Sequence, residues 1–489
     1  MTAGKAFTLK VINLKKTEKK KVKYKDKNGK KKTKTVMDYP KVVWTSSSKS
    51  VATVKDGKVT AIRYGTATIT AMFKRKTDKK AKVYTCKVTV KRPSYVVNAA
   101  TKPLPASAYT KNAAYNKYTE HYYMLRSYVE DLEKRGGGTL TLAAGTYSVT
   151  NVIYIPSNTK IILSNGVYIK NSNNTNTSKL SPAKTVFHFC ASSKARAALK
   201  YTGSKLGKYK GGYVGYEGVH DSAIIGYGGA IIDMMGVSDR YGAVIPHAKN
   251  ISVTGVNFQG IRNGHGIEVN GSRNVTISGC DFIGDSRATS KSDEAINIDT
   301  PDLRTGGINV PYIKYDKTPC LNVVVKNCVF RDLPRAVGSH TYSYNYPHEN
   351  ISVLNNDIQN TYASAIGAMY WQDSLIKGNI IQDVMNKYHG ISGEGVTNLK
   401  VEGNQFINMV RAAQFIAWDE DDYPVIRPVI FADDLADILN KNVFIDVIHM
   451  NIKLVWERYD KPEYFPYEPE PEPEPETEPE PEPEPEPEL

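Results

Sequence analysis

Short runs in which apolar and polar side chains alternate recur along this chain, and they predict strands, because side chains of a strand point to its two faces in turn. Over residues 1–92 such runs are rich in β-branched residues and are bounded by turn signals at Lys27-Asn28-Gly29, Lys55-Asp56-Gly57 and Tyr64-Gly65. That is the pattern of a small β-sandwich. The alternation lapses over residues 93–116, a linker rich in Pro, Ala and Ser. Tyr122, Leu125, Val129 and Leu132 then recur at helical spacing within Tyr118 to Arg135, and Gly136-Gly137-Gly138 ends the run. One amphipathic helix is expected there.

A repeat begins at Asp221. Segments starting at Asp221, Asn250, Asn274, Asn322, Asn350, Asp373 and Asn398 share one register, at spacings of 29, 24, 48, 28, 23 and 25 residues. A period near 25 with two or three short strands per turn predicts a parallel β-helix, in which each coil buries its apolar face only against its neighbours. The expected fold is thus all-β: a right-handed parallel β-helix over 117–423 with an N-terminal helical cap, preceded by the sandwich. A C-terminal cap follows over 424–466, and a Glu-Pro tail over 467–489 forms an extended strut of roughly 3 Å per residue. The sixth residue after each anchor makes a column of Tyr227, Val256, Cys280, Cys328, Asn356, Asn379 and Asn404, read as an internal ladder, with the two cysteines as buried small hydrophobes. The 48-residue gap is one coil plus an insertion, Thr300 to Pro319. Its Arg304, Tyr312, Lys314 and Tyr315 offer sugar- or carboxylate-binding side chains.

Charge sharpens this picture when it is located. The formal net charge is +15, but residues 1–92 hold 28 Lys/Arg against 5 Asp/Glu and residues 468–489 hold 11 Glu, leaving the middle near neutral. The solenoid therefore carries no nucleic-acid footprint. The lysine hairpin around Lys15 to Lys34 is either a solvated basic face or a surface for an anionic cell wall. Five cysteines without metal spacing imply neither a disulfide framework nor a zinc site. No apolar run is long enough to span a membrane. No signal peptide opens the sequence, yet Met1-Thr2-Ala3-Gly4 leads straight into strand-like sequence, the expectation for a trimmed secreted protein.

Candidate chemistry gathers at Asp293 to Asp299, where an acidic pair runs into a strand. Ile296 and Ile298 point inward and Asn297 and Asp299 outward. Aligned on the second apolar strand of each coil, the first column reads His265, Glu294, Arg335, Ser364, His389, Arg411, the fourth begins Glu268, Asn297, and the sixth reads Asn270, Asp299, His340, Met369, Glu394. With coils about 4.8 Å apart, Glu294 should lie between His265 and Arg335, and Asp299 beside His340 and Asn270. Solvated surface polarity is the plain alternative. Against it, like-sign neighbours flanked by His and Arg are the arrangement that separates carboxyl pKa values into an acid and a base.

Three resemblances follow. Val42 to Phe73 and the strand after it resemble the bacterial immunoglobulin-like group 2 domain, which implies a secreted or cell-surface bacterial protein. The helix followed by stacked short strands resembles the start of pectin-lyase-like right-handed β-helices. Asn263-Gly264-His265-Gly266-Ile267-Glu268, Asp293-Glu294-Ala295-Ile296-Asn297-Ile298-Asp299 and Pro334-Arg335-Ala336-Val337 resemble the motifs of polygalacturonases of glycoside hydrolase family 28. His265 replaces the first motif's Asp, Arg335 replaces the third's His, and the family's R-I-K motif has no counterpart. The resemblance implies a polysaccharide-degrading hydrolase with Asp293, Glu294, Asp299, Glu268 and His265 as catalytic candidates. Arg335, His340, Asn297, Asn270, Arg304, Tyr312, Tyr315 and His389 would bind a substrate, which is uronate-containing if these cations meet carboxylates. Asp299 and Glu268, about 8 Å apart by strand spacing, would suit inversion. A lyase using Arg335, His265 or His340 as base, with Asp293, Glu294 and Asp299 on Ca²⁺, and a non-catalytic glycan-binding adhesin remain open. The hydrolase needs no cofactor, and a monomer without nucleic-acid or membrane partners is expected.

Overall fold

The computed structural model describes residues 1–11, 18–38, 41–74, 78–203, 205–290, 293–304, 308–340, 343–420, 423–427, 429, 435–449 and 453–455. The expected Glu-Pro strut lies outside the described residues. The chain folds as a right-handed parallel β-helix preceded by a small β domain. In that domain Ala6–Thr8, Lys58–Ala61 and Ala52–Lys55 form one three-stranded sheet, and Val43–Ser46, Gly65–Phe73 and Lys82–Val90 form another. Their alternation buries Ala52, Val59, Ala61, Ala67, Ile69, Val88 and Val90 between them. Glu18–Lys25 and Lys31–Asp38 pair only with each other, as a separate antiparallel ribbon.

The solenoid starts earlier than the sequence implies. Ser94–Val97, inside the expected linker, lies parallel on Gly138–Leu142 and opens the stack. The helix Glu120–Arg135 closes this end, burying Tyr122, Leu125, Val129 and Leu132. Gly136 ends it at φ 83° in the left-handed region, where glycine carries no Cβ penalty.

Asparagines hold the coils in register. Asn250, Asn274, Asn322 and Asn350 each take a positive φ between 52° and 56°, which Asn tolerates better than most residues. Each donates its side-chain N–H to the anchor of the preceding coil, Asp221, Asn250, Asn274 and Asn322, at 2.7–2.9 Å. A second, buried ladder runs through Asn356, Asn379, Asn404 and Asn442: the Asn356 oxygen accepts from the Cys328 backbone, and those of Asn379, Asn404 and Asn442 each accept from the previous asparagine's backbone and side-chain amide, at 2.8–2.9 Å. Asn442 introduces a coil beyond the expected end: Val443–His449 and Lys453–Val455 stack on Gln405–Ile416. Tyr227 does not belong to the column. The chain bulges between Ile225 and Ala230, Ala230 pairs with Val256 instead, and Tyr227 is exposed. Cys280 and Cys328 are free thiols in the core.

One lobe interrupts the regularity. The Ser192–Thr202 helix, which the alternation does not reveal, packs with Ile308, Val310, Tyr312 and Ile313 of the insertion into a satellite core, and Tyr213 bridges Ile313. This lobe stands on the sheet formed by Thr185–His188, Tyr241–Pro246, Ile267–Asn270 and Glu294–Asp299.

Candidate active site

Ile267–Asn270 and Glu294–Asp299 lie parallel with Glu268 opposite Asn297 and Asn270 opposite Asp299. Arg335–Gly338 continues the stack with Arg335 opposite Glu294. Ile267, Val269, Ile296, Ile298 and Val337 turn into the core, so alternation places Glu268, Asn270, Asn297 and Asp299 in a square on the other face. That face is not open to water. Glu268, Asn270, Glu294, Asn297 and Asp299 are all 0% exposed, because His340 folds over Asn297 and Asp299 and the lobe stands beside Glu268.

Glu294 and Glu268, one coil apart, are in opposite electrostatic states. Glu294 Oε1 accepts from Arg335 Nη1 at 2.7 Å and Oε2 from His340 Nδ1 at 3.0 Å. Burial opposes its charge, but His340 and Arg335 outweigh it and hold the carboxyl below its ordinary range. His340 also approaches Asp299 Oδ2 at 3.5 Å. Burial likewise works against the imidazolium, yet the charges of Asp299 and Glu294 raise it to about 10. Among the described residues Glu268 has no cation in contact. Burial, with the charge of Asp299, pushes it up to about 8. Burial raises Asp299 to about 7, with His340 opposing.

His265 donates Nδ1–H to the Glu294 carbonyl at 2.5 Å. Its other nitrogen therefore carries a lone pair, 3.2 Å from Asn297 Nδ2 and 3.6 Å from Glu268 Oε2. Burial lowers its pKa and keeps the ring neutral. Four oxygens of the square, Glu268 Oε2, Asn270 Oδ1, Asn297 Oδ1 and Asp299 Oδ1, have no hydrogen-bond partner. So many unpaired buried polar atoms are costly for a purely structural patch.

Glu268 also forms part of the floor of a cavity of about 360 Å³, with Lys184, His188, Asp239, Tyr241 and Asn309 around it. Asp239 is the cavity's second carboxylate, accepting from Lys184 Nζ and, at 3.1 Å, from Tyr241 Oη. The Tyr241 ring lies 5.5 Å from that of His265. On the opposite side, Arg335, His340, Ser392 and Glu394 line a smaller cavity of about 100 Å³. The charge cluster sits between the two.

The structure thus brings together His265, Glu268, Asn270, Glu294, Asn297, Asp299, Arg335 and His340. Asp293 is half-buried just ahead of the strand. His389 lies three coils from Glu294 along its column, and Arg304 is exposed on the insertion. Tyr312 and Tyr315 are struts rather than sugar contacts. Tyr312 is 1% exposed with its hydroxyl on His188, and the Tyr315 hydroxyl donates to the Ile308 carbonyl and accepts from Val310 N–H. Sequence reasoning missed Lys184, Asp239 and Tyr241. Their signal was the Tyr241–Pro246 strand, one coil upstream of Glu268 and in the same register.

His265, Glu294 and His340 bring ligand atoms within 4.8 Å of one another, but Arg335 and His340 already neutralise Glu294. Asp293, Glu294 and Asp299 do not form the oxygen cage that Ca²⁺ prefers, since the Glu294 oxygens face a guanidinium and an imidazole.

Residues 6–84 match the bacterial Ig-like domain (group 2) family. No curated protein matches the chain. Among solved structures the chain is similar to the surface protein and adhesin PfbA of Streptococcus pneumoniae, at 19% identity over 71% of this chain and 87% of that one, TM-score 0.47. It is also similar to the family 28 exopolygalacturonase of Yersinia enterocolitica, at 12% identity over 81% and 85%, TM-score 0.36. A third is the tailspike protein of E. coli bacteriophage HK620, here a mutant in complex with a pentasaccharide, at 14% identity over 69% and 60%, TM-score 0.41. No described helix is long and apolar enough to cross a membrane.

Proposed function

We propose that this chain is a bacterial glycoside hydrolase, secreted or held at the cell surface, that cleaves a polysaccharide in the cavity beside Glu268. One observation carries the reading: Glu268 keeps its proton to about pH 8 at the floor of a polar cavity that holds a second carboxylate, Asp239. A proton-bearing carboxyl and a second carboxyl facing one space are what glycosidic bond cleavage needs. Glu268 protonates the leaving oxygen. Asp239, oriented by Lys184 and Tyr241, serves the anomeric carbon, directly or through water. Glu294, the first candidate from sequence, is unsuited to donate a proton because Arg335 and His340 keep it ionised. Its role is to hold His340 over the square.

The test is product formation on a panel of plant, host and bacterial-wall polysaccharides. Reducing ends and absorbance near 235 nm are followed with and without EDTA, for wild type, Glu268→Gln and Asp239→Asn. Reducing ends without absorbance, insensitive to EDTA and lost in both variants, are expected. Full turnover in Glu268→Gln sinks the assignment. An EDTA-sensitive absorbance rise replaces it with a lyase, and silence on every substrate replaces it with glycan binding alone.

A further inference from the structure

The ribbon of Glu18–Lys25 and Lys31–Asp38 stands apart from both sheets of the N-terminal domain, and among the described side chains none of its residues joins the core. Between positions 23 and 34 it exposes Lys23, Lys25, Lys27, Lys30, Lys31, Lys32 and Lys34. The only acid in that span, Asp26, is consumed by the turn: its Oδ1 accepts from the backbone of Asn28 and Lys30 at 3.0 Å, and its Oδ2 pairs with Lys32 at 3.1 Å. Among the described residues, Lys32 is the one lysine of the seven with an acidic partner. Lys25 stands directly opposite Lys31, a like-charge pair that weakens a hairpin. A two-stranded ribbon without a core is marginal in water to begin with. Solubility calls for charges of both signs interspersed, and this segment segregates one sign.

We propose that the ribbon is a binding surface for a linear polyanion, a polymer with closely spaced phosphate or carboxylate groups and no bases. Lys23 and Lys25 lie on one face about 7 Å apart, so the ribbon presents a row of point charges rather than a pocket. Lysine ammoniums, unlike guanidinium forks, read charge density more than geometry. Tyr24 is the span's only aromatic, and Lys34 lies over its ring at 5.3 Å. Single-stranded nucleic acid is held by successive stacking platforms, which the ribbon lacks. An anionic glycopolymer, whether a wall polyphosphodiester or a polyuronate, fits what is present. A polyanion bridging Lys25 and Lys31 also removes the repulsion that strains the free ribbon.

The test uses the full chain and a variant carrying Lys25→Gln, Lys27→Gln, Lys30→Gln and Lys31→Gln. Binding to immobilised long-chain inorganic polyphosphate and to polygalacturonate is measured as Kd against NaCl concentration. Each lost contact takes roughly 0.7–0.9 from the slope of log K against log salt, so four should flatten it by about 3. At low salt the variant's Kd should rise at least tenfold, while the matching Lys→Arg variant binds like wild type. An unchanged slope in the Gln variant overturns the proposal. Tighter binding to single-stranded DNA than to either polymer overturns the assigned ligand class. Which of the two polymers binds more tightly identifies the source of the anionic groups. Since the readout is binding, it stands or falls independently of hydrolysis in the solenoid.

Discussion

Replacing Glu268 by Gln separates the proton on this carboxyl from its shape. In the folded chain Glu268 holds its proton to about pH 8, against an ordinary value of 4.5. Across that window the folded state binds more protons than the unfolded one, so stability falls as pH rises through it and levels off above. The interval, at about 1.4 kcal/mol per pH unit, comes to roughly 5 kcal/mol as an upper bound. Glutamine cannot ionise, and its side-chain oxygen can still accept from Asn270 Nδ2, which lies 3.0 Å from Glu268 Oε1. Thermal unfolding at pH 5 should therefore differ little between the two proteins. By pH 8 the variant should be the more stable by several kcal/mol. If Glu268 is also the general acid, the same variant loses about 10²- to 10⁴-fold in turnover at pH 6, and wild-type turnover declines above about pH 8. A stabler enzyme with no activity is the signature. Parallel loss of stability with pH in both proteins would refute the buried, protonated carboxyl and with it the acid.

Other outcomes follow from neighbouring contacts. Arg335→Met removes one of the two cations on the fully buried Glu294 charge, leaving only His340, and should cost about 3 kcal/mol. Adding Glu294→Gln should recover most of that loss in denaturant titration, and a double variant no better than the single one contradicts the pairing. Asn379→Leu removes the acceptor for the Asn356 backbone and the donor to the Val353 carbonyl, and at about 1–3 kcal/mol per orphaned group it should lower the melting temperature sharply. A loss under about 1 kcal/mol would mean that the ladder carries little. Tyr312→Phe deletes the hydroxyl on His188. It should cost roughly 1–2 kcal/mol of stability with turnover intact, whereas a tenfold fall in kcat would return Tyr312 to the substrate site.

The repeat was legible because its cause is local. An Asn in the left-handed region at each corner and apolar side chains at every second position leave a mark in each coil, and the register built on them puts Glu268 opposite Asn297 and Glu294 opposite Arg335. Tyr227 slipped out of its column through a bulge that Gly228 and Gly229, both at positive φ, had signalled. Burial was not legible. A polar residue on a strand's outer side reads as solvated, and the lobe of Ser192–Thr202 and the insertion, together with His340, decides otherwise. That lobe does not repeat, so periodicity says nothing of where it packs.

Ionisation was the deepest gap, and it changes the assignment. In the sequence Glu268 and Glu294 are both catalytic candidates on adjacent coils, with Glu294, beside Asp293, as the candidate acid and Glu268 as its partner carboxyl. In space, both are fully buried, so the desolvation penalty falls on each alike. What separates them is their cations: His340 and Arg335 both reach Glu294, while the next-coil neighbour of Glu268 is Asn297, which brings no charge. The register therefore contained the arginine's share of the answer once burial was granted, and the fold of His340 over the square supplied the rest. The carboxyl stacked on an arginine stays ionised and organises, and the one stacked on an amide keeps its proton and is free to give it away.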